Sequence, residues 1–188
     1  MSATVNAVVK LSDLQPKVDA RIRAIPDFPK KGILFRDIMP LFQAPQLVDQ
    51  ICQAVAQHIK QKAVKIDVVA GLEARGFLFG PQIARYLNVP FVAVRKKGKL
   101  PGAVIRASYV KEYGEDILEI QADAVSSGSK VLIFDDLIAT GGTLKAAVEL
   151  MKKAGAVVAE IFCLVELGDL KGRNLLPQDI PLTTLSKY

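Results

Sequence analysis

The stretch VLIFDDLIATGGT, residues 131–143, decides the fold of this chain. Its four leading apolar residues predict a buried β-strand, which carries Asp135 and Asp136 to its carboxyl end, where open α/β sheets bind ligands. Small residues at 139–143 then form a predicted turn, and apolar residues at helical spacing predict a helix over 144–154. The order of strand, acids, small turn and helix therefore predicts an α/β protein with a ligand site at this edge.

The turn is suited to binding a phosphate. It consists only of small residues, namely Ala139, Thr140, Gly141, Gly142 and Thr143. Several backbone N–H groups can therefore converge on one anion, and the following helix adds the positive end of its dipole. Taken alone, two adjacent acids most often just end a strand, and two adjacent glycines most often form an ordinary turn. The joint order of strand, acids, small turn and helix favours a ligand site instead. It matches neither a Walker A loop nor a GxGxxG fingerprint.

The two acids suggest what accompanies the phosphate. Carboxylates beside a bound phosphate would repel it unless they bind something else, and vicinal hydroxyls or a divalent cation are the candidates. A ribose 5-phosphate meets both demands, because Asp135 and Asp136 can hold its hydroxyls while the turn holds its phosphate.

These residues resemble the phosphoribosyl-pyrophosphate binding motif of the type I phosphoribosyltransferases. Three further segments narrow the resemblance to the adenine phosphoribosyltransferases: DFPKKGILFRDIMP at 27–40, GLEARGFLFGP at 71–81, and RKKGKLPG with ASYVKEYG within 95–114. The resemblance runs from about residue 25 to residue 173. It implies a pentosyltransferase of purine salvage that makes AMP and pyrophosphate from adenine and phosphoribosyl pyrophosphate.

The loop at 71–76 follows a predicted strand, so it shares the ligand edge. From the local sequence, a surface ion pair between Glu73 and Arg75 is as plausible as a phosphate contact, which a guanidinium makes in bidentate fashion. The resemblance implies that Arg75 binds the pyrophosphate and that the backbone of Glu73, Ala74 and Gly76 shares this role.

A basic run lies in the next loop, at Arg95, Lys96, Lys97 and Lys99. Such a run is usually just solvated. The resemblance implies that Arg95 and Lys99 contact the pyrophosphate, in part across a homodimer interface. Residues 96–116 are accordingly expected to form a flexible catalytic loop.

The proton-handling residue is expected within that loop. A hairpin is predicted from strands over 108–113 and 117–121, with residues 96–107 as a mobile segment before it. By itself, Glu112 in such a hairpin would face solvent. The resemblance places it beside the purine imidazole ring as a general base when the loop closes, with Tyr113 adjacent.

Residues 1–40 are expected to cap the base-binding side of the site. Taken alone, Phe35 is best interpreted as a core residue. The resemblance implies that Phe35 stacks on the purine ring, while Leu34 and Arg36 read the adenine edge through main-chain or side-chain contacts.

The rest of the chain follows a βα rhythm. Helices are predicted over 14–24, 45–62 and 79–86, and strands over 66–70, 91–95 and 157–164. This alternation predicts one domain over 1–188, with a mostly parallel twisted sheet and helices on both faces. Nothing chemical is predicted beyond Lys171.

Composition restricts the partners and the compartment. The net charge of +6 suits polyanionic ligands, but the basic residues are not interleaved with aromatics, so no nucleic-acid partner is expected. Apolar runs are too short for a membrane span, and a cytoplasmic location is expected. Cys52 and Cys163 are expected as buried free thiols, and His58 as a surface residue.

Mg²⁺ is the expected cofactor, through the resemblance. No direct side-chain ligand is predicted, although Asp135 and Asp136 can contact the ion through water.

Two alternative functions remain open. One is a phosphoribosyltransferase for another base, but relatives acting on hypoxanthine and guanine carry Glu-Asp at the acid pair and lack Phe35-Arg36. The other is a regulator that senses phosphoribosyl pyrophosphate, which would carry an additional DNA-binding domain.

Overall fold

A seven-stranded mixed sheet organises the chain in the computed structural model, which describes residues 9–62, 64–111 and 114–188. In chain order the strands are β1 (Arg23–Pro26), β2 (Leu34–Asp37), β3 (Val68–Leu72), β4 (Phe91–Lys96), β5 (Val104–Lys111), β6 (Gly114–Gln121), β7 (Lys130–Ile138), β8 (Val157–Glu166) and β9 (Leu182–Lys187). The helices are α1 (Leu11–Asp19), α2 (Pro45–Gln61), α3 (Gly80–Leu87) and α4 (Gly142–Lys153).

The sheet is mostly parallel, as predicted. Its strand order is β5-β6-β4-β3-β7-β8-β9. Strands β4, β3, β7, β8 and β9 run parallel, whereas β6 pairs antiparallel with both β4 and β5. Strands β1 and β2 form a separate antiparallel pair near the N-terminus.

Helices cover both faces because the buried side chains of the central strands point alternately to each side. In β7, Val131 and Ile133 belong to a core beneath α4, whereas Leu132 and Phe134 belong to the opposite core with α1, α2 and α3. There the ring centroid of Phe134 lies 5.9 Å from that of Phe162. Burial of these two cores fixes the strand register.

The ligand edge lies where β3 and β7 meet. The two strands are adjacent and parallel. The chain leaves β3 toward α3 on one face and leaves β7 toward α4 on the other. Because the two following loops separate, a crevice opens between them, which is the usual binding position of open α/β sheets.

Two predicted boundaries near the site are wrong. Strand β7 does not stop at residue 134 but continues through both aspartates, because Leu137 and Ile138 pair with β8. The predicted mobile segment over 96–107 is also too long. Strand β5 begins at Val104, because Ile105 packs on the core beneath α4 and Ala107 is buried in it.

The N-terminal prediction is also revised. The apolar rhythm predicted a helix over 14–24, but α1 ends at Asp19 because residues from Arg23 onward are extended and pair with β2. Strand β9 was not predicted at all. The two predicted hairpin strands, over 108–113 and 117–121, begin earlier than predicted, at Val104 and Gly114. The remaining predicted helices and strands occur within about two residues of their predicted ends.

The prediction of His58 as a surface residue is only partly right, because 21% of its side chain is exposed while its ring contacts a buried acid. Its Nε2 atom lies 2.8 Å from Oε1 of Glu160, a fully buried carboxylate in β8. Cys52 and Cys163 are buried free thiols, as predicted, and burial raises the pKa of Cys52 to about 12. Among the described helices, none is long and apolar enough to cross a membrane.

Candidate active site

A cavity of about 630 Å³ lies at the carboxyl ends of β3 and β7. Its wall includes many of the residues predicted for the site: Glu73, Ala74, Arg75, Lys99, Asp135, Asp136, Ala139, Thr140, Gly141, Gly142 and Thr143. The fold therefore brings together segments that are distant in sequence. Leu118, Leu137, Ile138 and Leu144 also line it, although the sequence did not predict them as site residues. So does Lys96, which the sequence placed in the basic run without predicting a substrate contact for it.

The two aspartates lie in the last part of β7, in different environments. Asp136 is 4% exposed, and its Oδ2 accepts a hydrogen bond of 2.6 Å from Nε of Arg75. Asp135 is partly buried, and its Oδ1 accepts a bond of 2.9 Å from the backbone N–H of Asp136. Burial and the adjacent charge of Asp136 raise the pKa of Asp135 well above its usual range, and Arg75 opposes this rise.

The predicted phosphate turn precedes α4 directly. Gly141 has a φ of +86°, a left-handed conformation that favours glycine, and α4 begins at Gly142. No side chain caps this helix start. The N–H groups of a first helical turn have no partner within the helix, so they can donate to an anion in the cavity.

The loop after β3 carries the arginine of the site. Arg75 pairs with Asp136, so the surface ion pair between Glu73 and Arg75 that the local sequence allowed does not form. Its Nε uses one of the five guanidinium N–H donors, and the terminal nitrogens can still bind a phosphate. A Cβ atom on Gly76 would lie 2.8 Å from the carbonyl oxygen of Phe134, so this glycine permits the close approach to β7.

Glu73 is held by the next loop. Its carboxylate accepts bonds of 3.1 Å from Nε of Arg95 and from the backbone N–H of Lys96. Burial raises its pKa, but these two donors outweigh burial and hold the pKa below its usual value. Arg95 also donates to the carbonyl oxygen of Lys99 at 3.0 Å. Its side chain thus braces the wall, and in the described chain the wall includes Lys96 and Lys99 but not Arg95.

The predicted base-binding residues lie on β2, next to the cavity. The Arg75 guanidinium carbon is 5.6 Å from the centroid of the Phe35 ring, whose other neighbour is Phe28 in an edge contact at 5.0 Å. Leu34 is 48% exposed. Arg36 places its guanidinium carbon 4.0 Å from the centroid of Tyr188. Glu112 and Tyr113 lie outside the described residues.

Comparisons with known proteins agree with this geometry. The family model described as the phosphoribosyl transferase domain matches residues 40–185. An adenine phosphoribosyltransferase from Caenorhabditis elegans is 59% identical over 95% of this chain and 96% of its own.

One similar solved structure is the adenine phosphoribosyltransferase of Saccharomyces cerevisiae, complexed with D-2,5-dideoxy-2,5-imino-altritol 1,6-bisphosphate and adenine. It is 45% identical, with a TM-score of 0.88 over 92% of this chain and 98% of that one. The enzyme of Trypanosoma brucei, in complex with AMP, pyrophosphate and ribose-5-phosphate, is 30% identical, with a TM-score of 0.85 over 93% and 79%. By these matches and by its site, the chain belongs to the phosphoribosyl transferase family and, within it, to the adenine phosphoribosyltransferases.

Proposed function

We propose that the cavity transfers the 5-phosphoribosyl group from phosphoribosyl pyrophosphate to adenine, the reaction for which the family is named, giving AMP and pyrophosphate. One observation carries this proposal. A carboxylate pair, an uncapped glycine-rich helix start and a cluster of cations surround a single cavity of about 630 Å³. These are the groups that ribose hydroxyls, a 5-phosphate and a pyrophosphate respectively require.

The sugar is held at two points. The backbone of residues 139–143 binds the 5-phosphate, an anchor far from the reacting carbon whose binding energy can be used to orient the ribose. Asp135 and Asp136 then orient the ribose hydroxyls. Arg75 pairs with Asp136. Burial and the charge of Asp136 raise the pKa of Asp135.

The cations act on the leaving group. Arg75, Lys96 and Lys99 face the cavity and bind the pyrophosphate together with the backbone of residues 73–76. As the bond from C1 of the ribose to pyrophosphate breaks, positive charge develops on the ribose ring. The aspartates stabilise that charge, and the cations stabilise the charge on pyrophosphate. Arg95 contributes by fixing Glu73 and the carbonyl of Lys99.

Adenine binds on the β2 side of the cavity. The Phe35 ring stacks on the purine, a contact worth about 1–3 kcal/mol in base-binding sites. The Arg36 guanidinium is stacked over Tyr188, so in this proposal Leu34 and Arg36 read the adenine edge through their main chains. Glu112, with Tyr113 adjacent, acts as the general base for the N9 proton. Residues 1–40 form the base-binding cap and residues 96–116 the catalytic loop.

The donor set of the cavity fits a Mg²⁺ ion that binds with the substrate. The described residues contain no cluster of three side chains suited to hold a metal. Mg²⁺ is commonly held by one or two carboxylates, waters and substrate phosphates, which matches Asp135 and Asp136 acting through water. When bound, the ion would neutralise charge on the pyrophosphate.

The protein is further proposed to be a cytoplasmic homodimer. The dimer follows from the family, in which the basic loop serves the site partly across a subunit interface. The two unpaired thiols, Cys52 and Cys163, suit a reducing compartment. Sedimentation velocity on the purified chain measures the first property and cell fractionation the second.

The reaction is tested by supplying adenine, hypoxanthine, guanine and uracil separately, with phosphoribosyl pyrophosphate and Mg²⁺, and by following nucleotide formation. Adenine alone should be turned over efficiently. In Glu112→Gln the turnover number should fall by about 10²–10⁴-fold, while the affinity for phosphoribosyl pyrophosphate is kept. Lys111→Gln is the control at the neighbouring position. Comparable turnover of an oxopurine would contradict the proposal, and an unchanged rate in Glu112→Gln would remove that residue from the mechanism.

A further inference from the structure

A turn near the C-terminal end packs directly against residues 139–141, the first part of the proposed phosphate-binding loop. It comprises two short 3-10 turns, Gly168–Leu170 and Gly172–Leu175. A Cβ atom added to Gly172 would collide with the carbonyl oxygen of Ala139 and lie 3.0 Å from the backbone nitrogen of Gly141. A Cβ atom on Gly141 would in turn collide with the carbonyl oxygen of Gly172. The two backbones thus approach each other as closely as glycine allows.

The turn that carries Gly172 is firmly attached to the sheet. Next to it, Arg173 makes a two-bond pair with Glu166 at the end of β8, with both distances at 2.7 Å. The same guanidinium donates to the carbonyl oxygen of Leu182 in β9 at 2.8 Å. At the start of the turn, the backbone N–H of Leu167 donates to Ile138 of β7 at 2.9 Å. A side chain at Gly172 could therefore not be accommodated by retreat of the turn.

We propose that Gly172 is a positioning residue for the sugar substrate: its backbone is the support that sets the conformation of residues 139–141. This inference rests on the proposed function, because it assumes that this loop binds the 5-phosphate. Gly172 itself is not among the described residues that line the cavity. It acts through the loop, so its substitution should weaken sugar-phosphate binding while leaving adenine binding nearly unchanged.

The variant Gly172→Ala tests the support. Gly172 does not have a positive φ, so its own backbone conformation does not exclude alanine, and the nearest atoms to the added methyl group belong to Ala139 and Gly141. We expect the Kd for ribose 5-phosphate and the KM for phosphoribosyl pyrophosphate to rise by about 10–100-fold, since small misplacements at such sites have effects of this order. The KM for adenine should change less than about threefold.

Gly168→Ala is the matched control in the same turn. A Cβ atom there would lie 2.7 Å from Cε of Lys187, the end of a flexible side chain that can move away, so binding should stay unchanged. Ribose 5-phosphate binding is measured by titration calorimetry, and both KM values by steady-state kinetics. If the unmodified protein shows no turnover of adenine, the proposed function fails. If it turns over adenine and Gly172→Ala binds ribose 5-phosphate normally, only the present inference fails.

A second variant keeps the test decisive if Gly172→Ala does not fold, as judged by circular dichroism. Arg173→Gln loses the charged pair with Glu166 and loosens the turn without adding bulk against the loop. The Kd for ribose 5-phosphate should then rise several-fold with the KM for adenine retained. An unchanged Kd in this folded variant would overturn the role of the turn.

Discussion

At the scale of single residues, Asp135 combines a functional role with a cost in stability. Burial and the neighbouring Asp136 raise its folded pKa, whereas its unfolded pKa is about 3.9. The raised value means that the stability contributed by Asp135 is present below about pH 3.9 and is lost as the pH rises through the folded pKa. At neutral pH the fold is therefore less stable than it would be with a group that carries no charge at this position.

Asp135→Asn should consequently be more stable than the parent at pH 7, by about 0.5–2 kcal/mol. The asparagine Oδ1 can still accept the backbone N–H of Asp136, so this hydrogen bond can be kept. Turnover should nevertheless fall, because a carboxylate that orients the ribose is gone. Urea unfolding at pH 7 and pH 4 measures the effect, and the gap should narrow at pH 4. A variant less stable than the parent at pH 7 would contradict this account.

At the scale of elements, sequence patterns predicted the helices and strands whose bounds are set by their own side chains. They missed the bounds that are set by contacts with residues far away in sequence. Apolar periodicity predicted α2 and β4 closely because their own side chains fill the core. The acid pair, by contrast, looked like the end of a strand. Strand β7 extends beyond it because β8 supplies ladder partners and Arg75, sixty-one positions away, neutralises Asp136.

The candidate site shows the same division. The small turn and the acids could be identified from local composition, whereas β9 and the support from Gly172 could not. Strand β9 exists through its pairing with β8, and the importance of Gly172 is visible only in its approach to Gly141. The basic run at 95–99 indicated positive charge beside the cavity, and Lys96 and Lys99 do line it. Which of these side chains line the cavity could not be predicted, because Arg95 is bonded to Glu73 while Lys96 and Lys99 face the cavity.

The strand β6 fixes the basic loop through one buried acid. Glu119 is fully buried and accepts bonds from Nε of Arg106 in β5 at 2.7 Å and from the backbone N–H of Gly98 at 2.9 Å. Glu119→Gln retains an acceptor for the loop amide but loses the charged pair. We expect a loss of about 1–3 kcal/mol in unfolding free energy and a higher KM for phosphoribosyl pyrophosphate, since the loop carries Lys99.

Chemical unfolding and steady-state kinetics provide these two measurements. Glu149→Gln is the comparison, because it makes the same chemical change at an exposed position of α4. Equal effects in the two variants would show that the bond to Gly98 does not hold the loop.

At the scale of the whole molecule, a polar network around one buried acid joins helix α2 and the residue after it to the far edge of the sheet. Oε1 of Glu160 in β8 lies 2.8 Å from Nε2 of His58 and 2.9 Å from Nζ of Lys62. It also accepts a bond of 2.7 Å from Oγ1 of Thr183 in β9. His58 lies 102 positions from Glu160, so a helical stripe alone could not identify it as a partner of that acid.

This network predicts how global stability depends on pH. Burial raises the pKa of Glu160, but the bonds from His58, Lys62 and Thr183 outweigh burial, and the folded pKa is lowered. An unfolded glutamate has a pKa of about 4.3, so the contribution of Glu160 is present above that pH and is lost as the pH falls through the lower folded value. Glu160→Gln should therefore lose about 1–3 kcal/mol at pH 7, and the difference from the parent should shrink below about pH 4. Urea midpoints across this range, with Glu149→Gln as the surface control, measure the effect. A difference that stays constant from pH 7 to about pH 3 would show that the charge of Glu160 does not stabilise the packing of α2 on the sheet, because only an ionised carboxylate can lose its contribution by protonation.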